Sequence, residues 1–172
     1  MKKLLTLLMG ILILSSCGKT EKQFDKELNQ ANVEMLKTLV ASGTICDNIS
    51  DTWRTAIYDH KTPSGKYCSD FNDALIELFT TLREAGVTDS ISKWNDNMLK
   101  LTSKLNEHPR TRQQCYNDFV EIVGEVSSLS RMATNPTGSL KSYNDEKSEC
   151  YSHINKKLDQ FKIKYGEYLK NN

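Results

Sequence analysis

The sequence predicts an all-α fold, an up-and-down bundle of four to five amphipathic helices, on three observations. From Phe24 onward the apolar residues recur at spacings of three, four and seven, which is the helical period. No stretch alternates with period two for long enough to make a strand. The interruptions are short and rich in Pro, Gly, Ser, Thr and Asn, as helix ends require. Short connections between amphipathic helices favour antiparallel neighbours.

The first seam reads Leu28, Met35, Leu39, Cys46, Ile49, Trp53 and Ala56, and stops where Lys61-Thr62-Pro63-Ser64-Gly65 supplies breakers. Cys68, Phe71, Leu75, Leu78 and Leu82 form a second seam, with Gly86 as its C-cap. Thr88, Asp89 and Ser90 offer N-cap oxygens to a third helix that carries Val87, Ile91, Trp94, Met98, Leu101 and Leu105. Pro109 is expected in the first turn of a fourth helix with Cys115, Phe119, Ile122, Val126, Leu129 and Ala133. After the loop Asn135–Ser139, the last helix carries Leu140, Tyr143, Cys150, Ile154, Leu158, Phe161, Tyr165 and Leu169. Gly86 leaves two outcomes open: a full reversal, or a kink in one long helix from Tyr67 to Glu107.

Ahead of these helices lies a segment of another kind. Met1-Lys2-Lys3 is basic, Leu4 to Leu14 is an almost unbroken apolar run, and Leu14-Ser15-Ser16-Cys17 follows. That order describes a secretory signal, and its apolar run is too short to span a bilayer. Leu-Ser-Ser-Cys resembles the lipobox of bacterial lipoproteins. The resemblance implies cleavage of residues 1–16, a diacylglycerol on the Cys17 sulfur, and a fatty acyl chain such as palmitate on the new amine. Residues 17–23 would then be the lipidated cysteine and a short tether, and 24–172 the helical domain. The expected location is extracytoplasmic and membrane-anchored, in the outer membrane if the host is double-membraned.

Removing the signal takes away two lysines and leaves 21 basic and 22 acidic residues. That near balance argues against a nucleic-acid partner, which needs a basic stripe to neutralise phosphates. Lysines at 156, 157, 162, 164 and 170 crowd the last helix and could meet anionic headgroups, or simply complement a helix C-terminus.

Cys46, Cys68, Cys115 and Cys150 each fall on a different seam. An even count in an exported chain favours disulfides. Pairing Cys46 with Cys68 is disfavoured, because the helix rise sets them about 22 Å apart. If the chain reverses at Gly86, the expected bridges are Cys68–Cys115 and Cys46–Cys150. If Gly86 is a kink, Cys115 moves far from Cys68 and that assignment fails. The alternative is four buried thiols acting as small hydrophobes.

Catalytic patterns are sparse. His60, His108 and His153 stand apart, and no Glu lies three residues before any of them, so no bundle-type metal site is expected. Asp70, Asp73 and Glu77 could share a face, as could Asp47 and Asp51, but carboxylates near a helix start ordinarily complement its dipole. There is no nucleophile elbow, P-loop or dinucleotide fingerprint. No catalytic residue, metal or cofactor is assigned. The last helix has more aromatic residues than one seam holds, which nominates Tyr151, Tyr165 and Tyr168 as a contact face.

The reading is therefore a membrane-anchored binding module, not an enzyme, with an envelope or extracellular protein as partner. The alternative is a ligand carrier or enzyme with an interhelical pocket, marked by a concave polar cavity.

Overall fold

The structure, a computed structural model, describes residues 19–169. Its elements are α1 (Glu21–Asp59), α2 (Phe71–Glu84), α3 (Val87–Lys104), a single 3-10 turn (Arg110–Arg112), α4 (Gln113–Thr134) and α5 (Leu140–Tyr165). All five helices lie where the seams place them, and the differences are at helix ends.

α1 is the mast of the fold. Its 39 residues make a rod about 58 Å long at 1.5 Å per residue. The Thr20 side chain caps it by accepting from the Gln23 amide at 3.2 Å, a contact of the kind usually worth about 1 kcal/mol. The helix therefore starts at Glu21, inside the segment 17–23 expected as a tether and ahead of the expected domain start at Phe24. His60 closes the helix in a left-handed conformation (φ 53°), before the breakers in 61–65.

α2 starts beside the end of α1, with Phe71 against Trp53 (ring centroids 5.8 Å) and Ala74 packed with Ala56. α3 ends beside the start of α1, where the Lys104 carbonyl accepts from Lys19. Both helices therefore descend along α1, and Gly86 bends one broken column without reversing it. The bend needs φ +67° at Gly86, a backbone region nearly free for glycine and costly for other residues. No side chain caps α3; Ser90 instead donates to the Gly86 carbonyl at 2.8 Å. Thr88, Asp89 and Ser90 are thus not the cap expected of them. Pro109 likewise precedes the 3-10 turn instead of sitting in α4.

α4 runs parallel to α1, with Arg112 at Asp25 and Leu129 at Cys46. α5 runs antiparallel to α1: Tyr143 meets Trp53, Lys147 meets Asp47 and Tyr151 meets Gly43. The result is a bundle of four columns, the second one broken. Phe24, Leu28, Met35, Ile49, Ile91, Met98, Leu105, Phe119, Ile122, Leu129 and Ile154 are fully buried in one core. Ala56, Cys68 and Ala74 form a small separate cluster under α2.

Candidate functional site

The residues singled out in the sequence fall into three groups. Cys17 lies outside the described residues. Two positions after it, Lys19 pairs with Glu27 at 2.5 Å and also donates to the Lys104 carbonyl. Only Gly18 separates this fastened point from Cys17.

The four mature cysteines are buried free thiols. Cys68 packs with Ala56 and Ala74 near the end of α1. The thiol of Cys115 feels the charges of Arg112 and Asp25 at the other end. Thirty-one residues of helix separate Asp25 from Ala56, about 46 Å at the helical rise. A Cys68–Cys115 bridge, expected if the chain reversed at Gly86, is therefore excluded by the bend. Cys46 and Cys150 both rest on α4: Cys46 donates to the Leu129 carbonyl at 3.7 Å and Cys150 to the Glu125 carbonyl at 3.4 Å. Burial pushes the Cys115 thiol up to about 12 and the Cys150 thiol up to about 11. It raises Cys46 as well, against an opposing hydrogen bond with Tyr143. A buried, neutral thiol of this kind is a poor nucleophile.

Tyr151, Tyr165 and Tyr168 do not form an outward contact face. Tyr151 turns in against Gly43. Tyr165 packs on Phe161 at 4.9 Å and donates to Asp118 at 2.9 Å. Arg112 sits 3.9 Å from the centre of the Tyr168 ring. Tyr151 thus docks midway along α1, and Tyr165 and Tyr168 hold the start of α4, because Gly43, Asp118 and Arg112 give them inward partners that a single-helix seam does not reveal.

The titratable groups are likewise engaged in structure. Asp70 caps α2 through the Asn72 amide at 2.9 Å, and Glu77 accepts from the Ser64 amide at 2.7 Å. Asp51 faces Arg54, and His153 faces Glu125 on α4 and not Glu149. His60 lies by Tyr67 and His108 by Tyr116. Burial raises the Asp118 carboxyl, but donors from Lys164, Gln114 and Tyr165 outweigh it and hold the group below its ordinary range. Among the described residues no three His, Cys, Asp or Glu side chains gather as a metal site requires. No described helix is long and apolar enough to cross a membrane.

Two surface features escape the seam analysis. Val33, Leu36 and Val40 are 44, 39 and 67% exposed on α1. With Ala41, Lys37 and Trp94 of α3 they line a cleft of about 540 Å³. The spacing 33, 36, 40 is itself helical and is legible in the sequence, but the neighbouring seam with Met35 and Leu39 hides it. Between α3 and α4 lies a second groove, of about 440 Å³, whose lining includes Ser92, Asn95, Asp96, Ser128 and Arg131. The side-chain oxygen of Asn95 is buried there without a partner among the described residues.

Compared with protein-family models, with curated proteins and with solved structures, the chain gives no significant match.

Proposed function

We propose that this chain is a lipid-anchored interaction module of the cell envelope, which binds an apolar segment of an envelope or extracellular protein along the cleft between α1 and α3. The observation that carries the reading is the apolar stripe Val33, Leu36 and Val40 beside Trp94. The three lie on one face of α1, whereas its other exposed large apolar residues, Ile57 and Tyr58, are adjacent at its far end; a contiguous exposed apolar group marks an interaction surface. The lipobox supports the anchor. A fastened Lys19 two residues after Cys17 would keep the start of α1 close to the bilayer, within about 7 Å of the acylated residue. The cleft would then stand about 20–30 Å above that point along α1.

Two experiments test the two halves separately. Cys17→Ser should move the protein from the membrane to the soluble fraction; a variant that still needs detergent sinks the anchor. A photo-crosslinking residue at position 40 should yield one dominant adduct in cells that the same residue at position 156 does not. Equal labelling from both positions sinks the cleft as a binding face.

A second reading rests on Asn95. Its unpartnered oxygen in the α3–α4 groove suits a small polar ligand that donates a hydrogen bond, the carrier alternative. Under that reading Asn95→Leu abolishes ligand-induced thermal stabilisation while Val40→Asp leaves it intact.

A further inference from the structure

We propose that Cys46 and Cys150 are a disulfide-forming pair that ties α1 to α5 at a close approach of the two helices, while Cys68 and Cys115 remain thiols. Two contacts bracket that approach. On one side Gly43 lies against Tyr151, so close that a methyl group at residue 43 would sit 2.5 Å from the tyrosine oxygen. On the other, Lys147 donates to Asp47 at 2.8 Å and to Ser50 at 2.9 Å. Cys46 lies between Gly43 and Ser50 on α1, and Cys150 lies between Lys147 and Tyr151 on α5. Both thiols point at the same stretch of α4, onto carbonyls of residues 125 and 129, one helical turn apart. Each sulfur is thus held by the same third helix, and the two are near enough for the charge of one to bear on the other. Cys68 and Cys115, at opposite ends of α1, have no such neighbour.

The chemistry is thiol–disulfide exchange with an external disulfide, either oxidised glutathione or the disulfide form of an envelope dithiol oxidase. One cysteine thiolate attacks a sulfur of that disulfide, forms a mixed disulfide and expels the first thiolate. The second cysteine thiolate then attacks the protein sulfur of the mixed disulfide, forms the Cys46–Cys150 bond and expels the second thiolate. Two electrons pass to the external disulfide, and the two protons lost by the cysteines end on the two released thiols. Cys46 is 0% and Cys150 7% exposed, so exchange takes place as the chain folds, and the finished bond is shielded from reductant.

The proposal rests on the fold and not on the lipid anchor, and its test is arranged accordingly. The mature chain carrying Cys17→Ser, which retains every described residue, is reduced, unfolded and refolded with oxidised and reduced glutathione. It is then alkylated in denaturant and mapped by mass spectrometry. The expected product is a Cys46–Cys150 peptide pair, about 2 Da lighter than its two reduced halves, with Cys68 and Cys115 alkylated. Recovery of Cys46 and Cys150 alkylated, capped by glutathione, or joined to Cys68 or Cys115 overturns it. In Cys46→Ala, Cys150 should be recovered without any protein partner; a bridge from Cys150 to another cysteine overturns the claim that the remaining thiols are out of reach.

Discussion

Gly43 of α1 and Tyr151 of α5 meet with no room for a side chain: a β-carbon on Gly43 would lie 2.5 Å from the tyrosine hydroxyl oxygen and 3.4 Å from the ring carbon that carries it. Glycine inside a helix ordinarily costs about 1 kcal/mol against alanine. Here that cost is offset by letting two helices close over the buried Cys46 and Cys150.

Gly43→Ala should therefore destabilise the bundle by about 1 kcal/mol despite its better helix propensity, because Tyr151 must leave its position. Tyr151→Phe removes the clashing oxygen and leaves the nearest ring atom at ordinary contact distance. In that background Gly43→Ala should become neutral or stabilising by up to about 1 kcal/mol. Urea midpoints of the four proteins check this; a Gly43→Ala cost unchanged by Tyr151→Phe contradicts the contact.

Arg112 fastens the start of α4 to the start of α1. Its guanidinium donates to both Asp25 oxygens, at 2.9 and 3.0 Å, while Tyr168 covers its face. Only a planar, forked cation does both, and the Arg112 and Asp25 side chains are just 12 and 15% exposed. Arg112→Lys should lose about 1–2 kcal/mol even though the charge is kept. Adding Tyr168→Leu to Arg112→Lys should then cost less than Tyr168→Leu alone, since the ring has already lost the planar guanidinium stacked on it. Full additivity in a double-mutant cycle would refute the stacking.

Phe119, Ile122, Val126 and Leu129 are buried where a helical period puts them, since burial of one face is what makes the period. Gly86 could be read as a reversal or a bend because glycine at positive φ serves both. The choice depends on where Phe71 and Lys104 dock on α1, two contacts about thirty residues apart in the chain. The cysteine pairing inherited that ambiguity. Tyr151, Tyr165 and Tyr168 read as surplus to one seam because their partners Gly43, Asp118 and Arg112 lie outside the last helix. Periodicity reports how one helix faces a core and is silent on which neighbour an amphipathic ring will choose.

Buried thiols give the bundle an alkaline weakness. Cys115 and Cys150 titrate at about 12 and about 11 in the fold, against about 8.5 in an unfolded chain. Below the unfolded value both states keep the proton, and the burial of the thiols contributes fully. Above it the unfolded chain loses protons first, so stability falls as pH rises through the folded values. The urea midpoint of the reduced protein should decline steadily from about pH 8.5 upward. Cys115→Ala should flatten the decline, and a profile the same in both proteins would show that the Cys115 thiol is not shielded.

Ser42 offers a gain instead of a loss. It is completely buried on α1, and its hydroxyl has no hydrogen-bond partner among the described residues. Thr38, one turn earlier and equally buried, donates to the Glu34 carbonyl at 2.9 Å. An unsatisfied buried hydroxyl costs about 1–3 kcal/mol, and serine is also a weaker helix former than alanine. Ser42→Ala should therefore stabilise the protein by about 1 kcal/mol, whereas Thr38→Val should change little because a satisfied bond and its desolvation nearly cancel. Thermal melts of the two variants separate the cases. A destabilised Ser42→Ala would mean that the hydroxyl is engaged in solution and that the core at this level is wetter than its packing indicates.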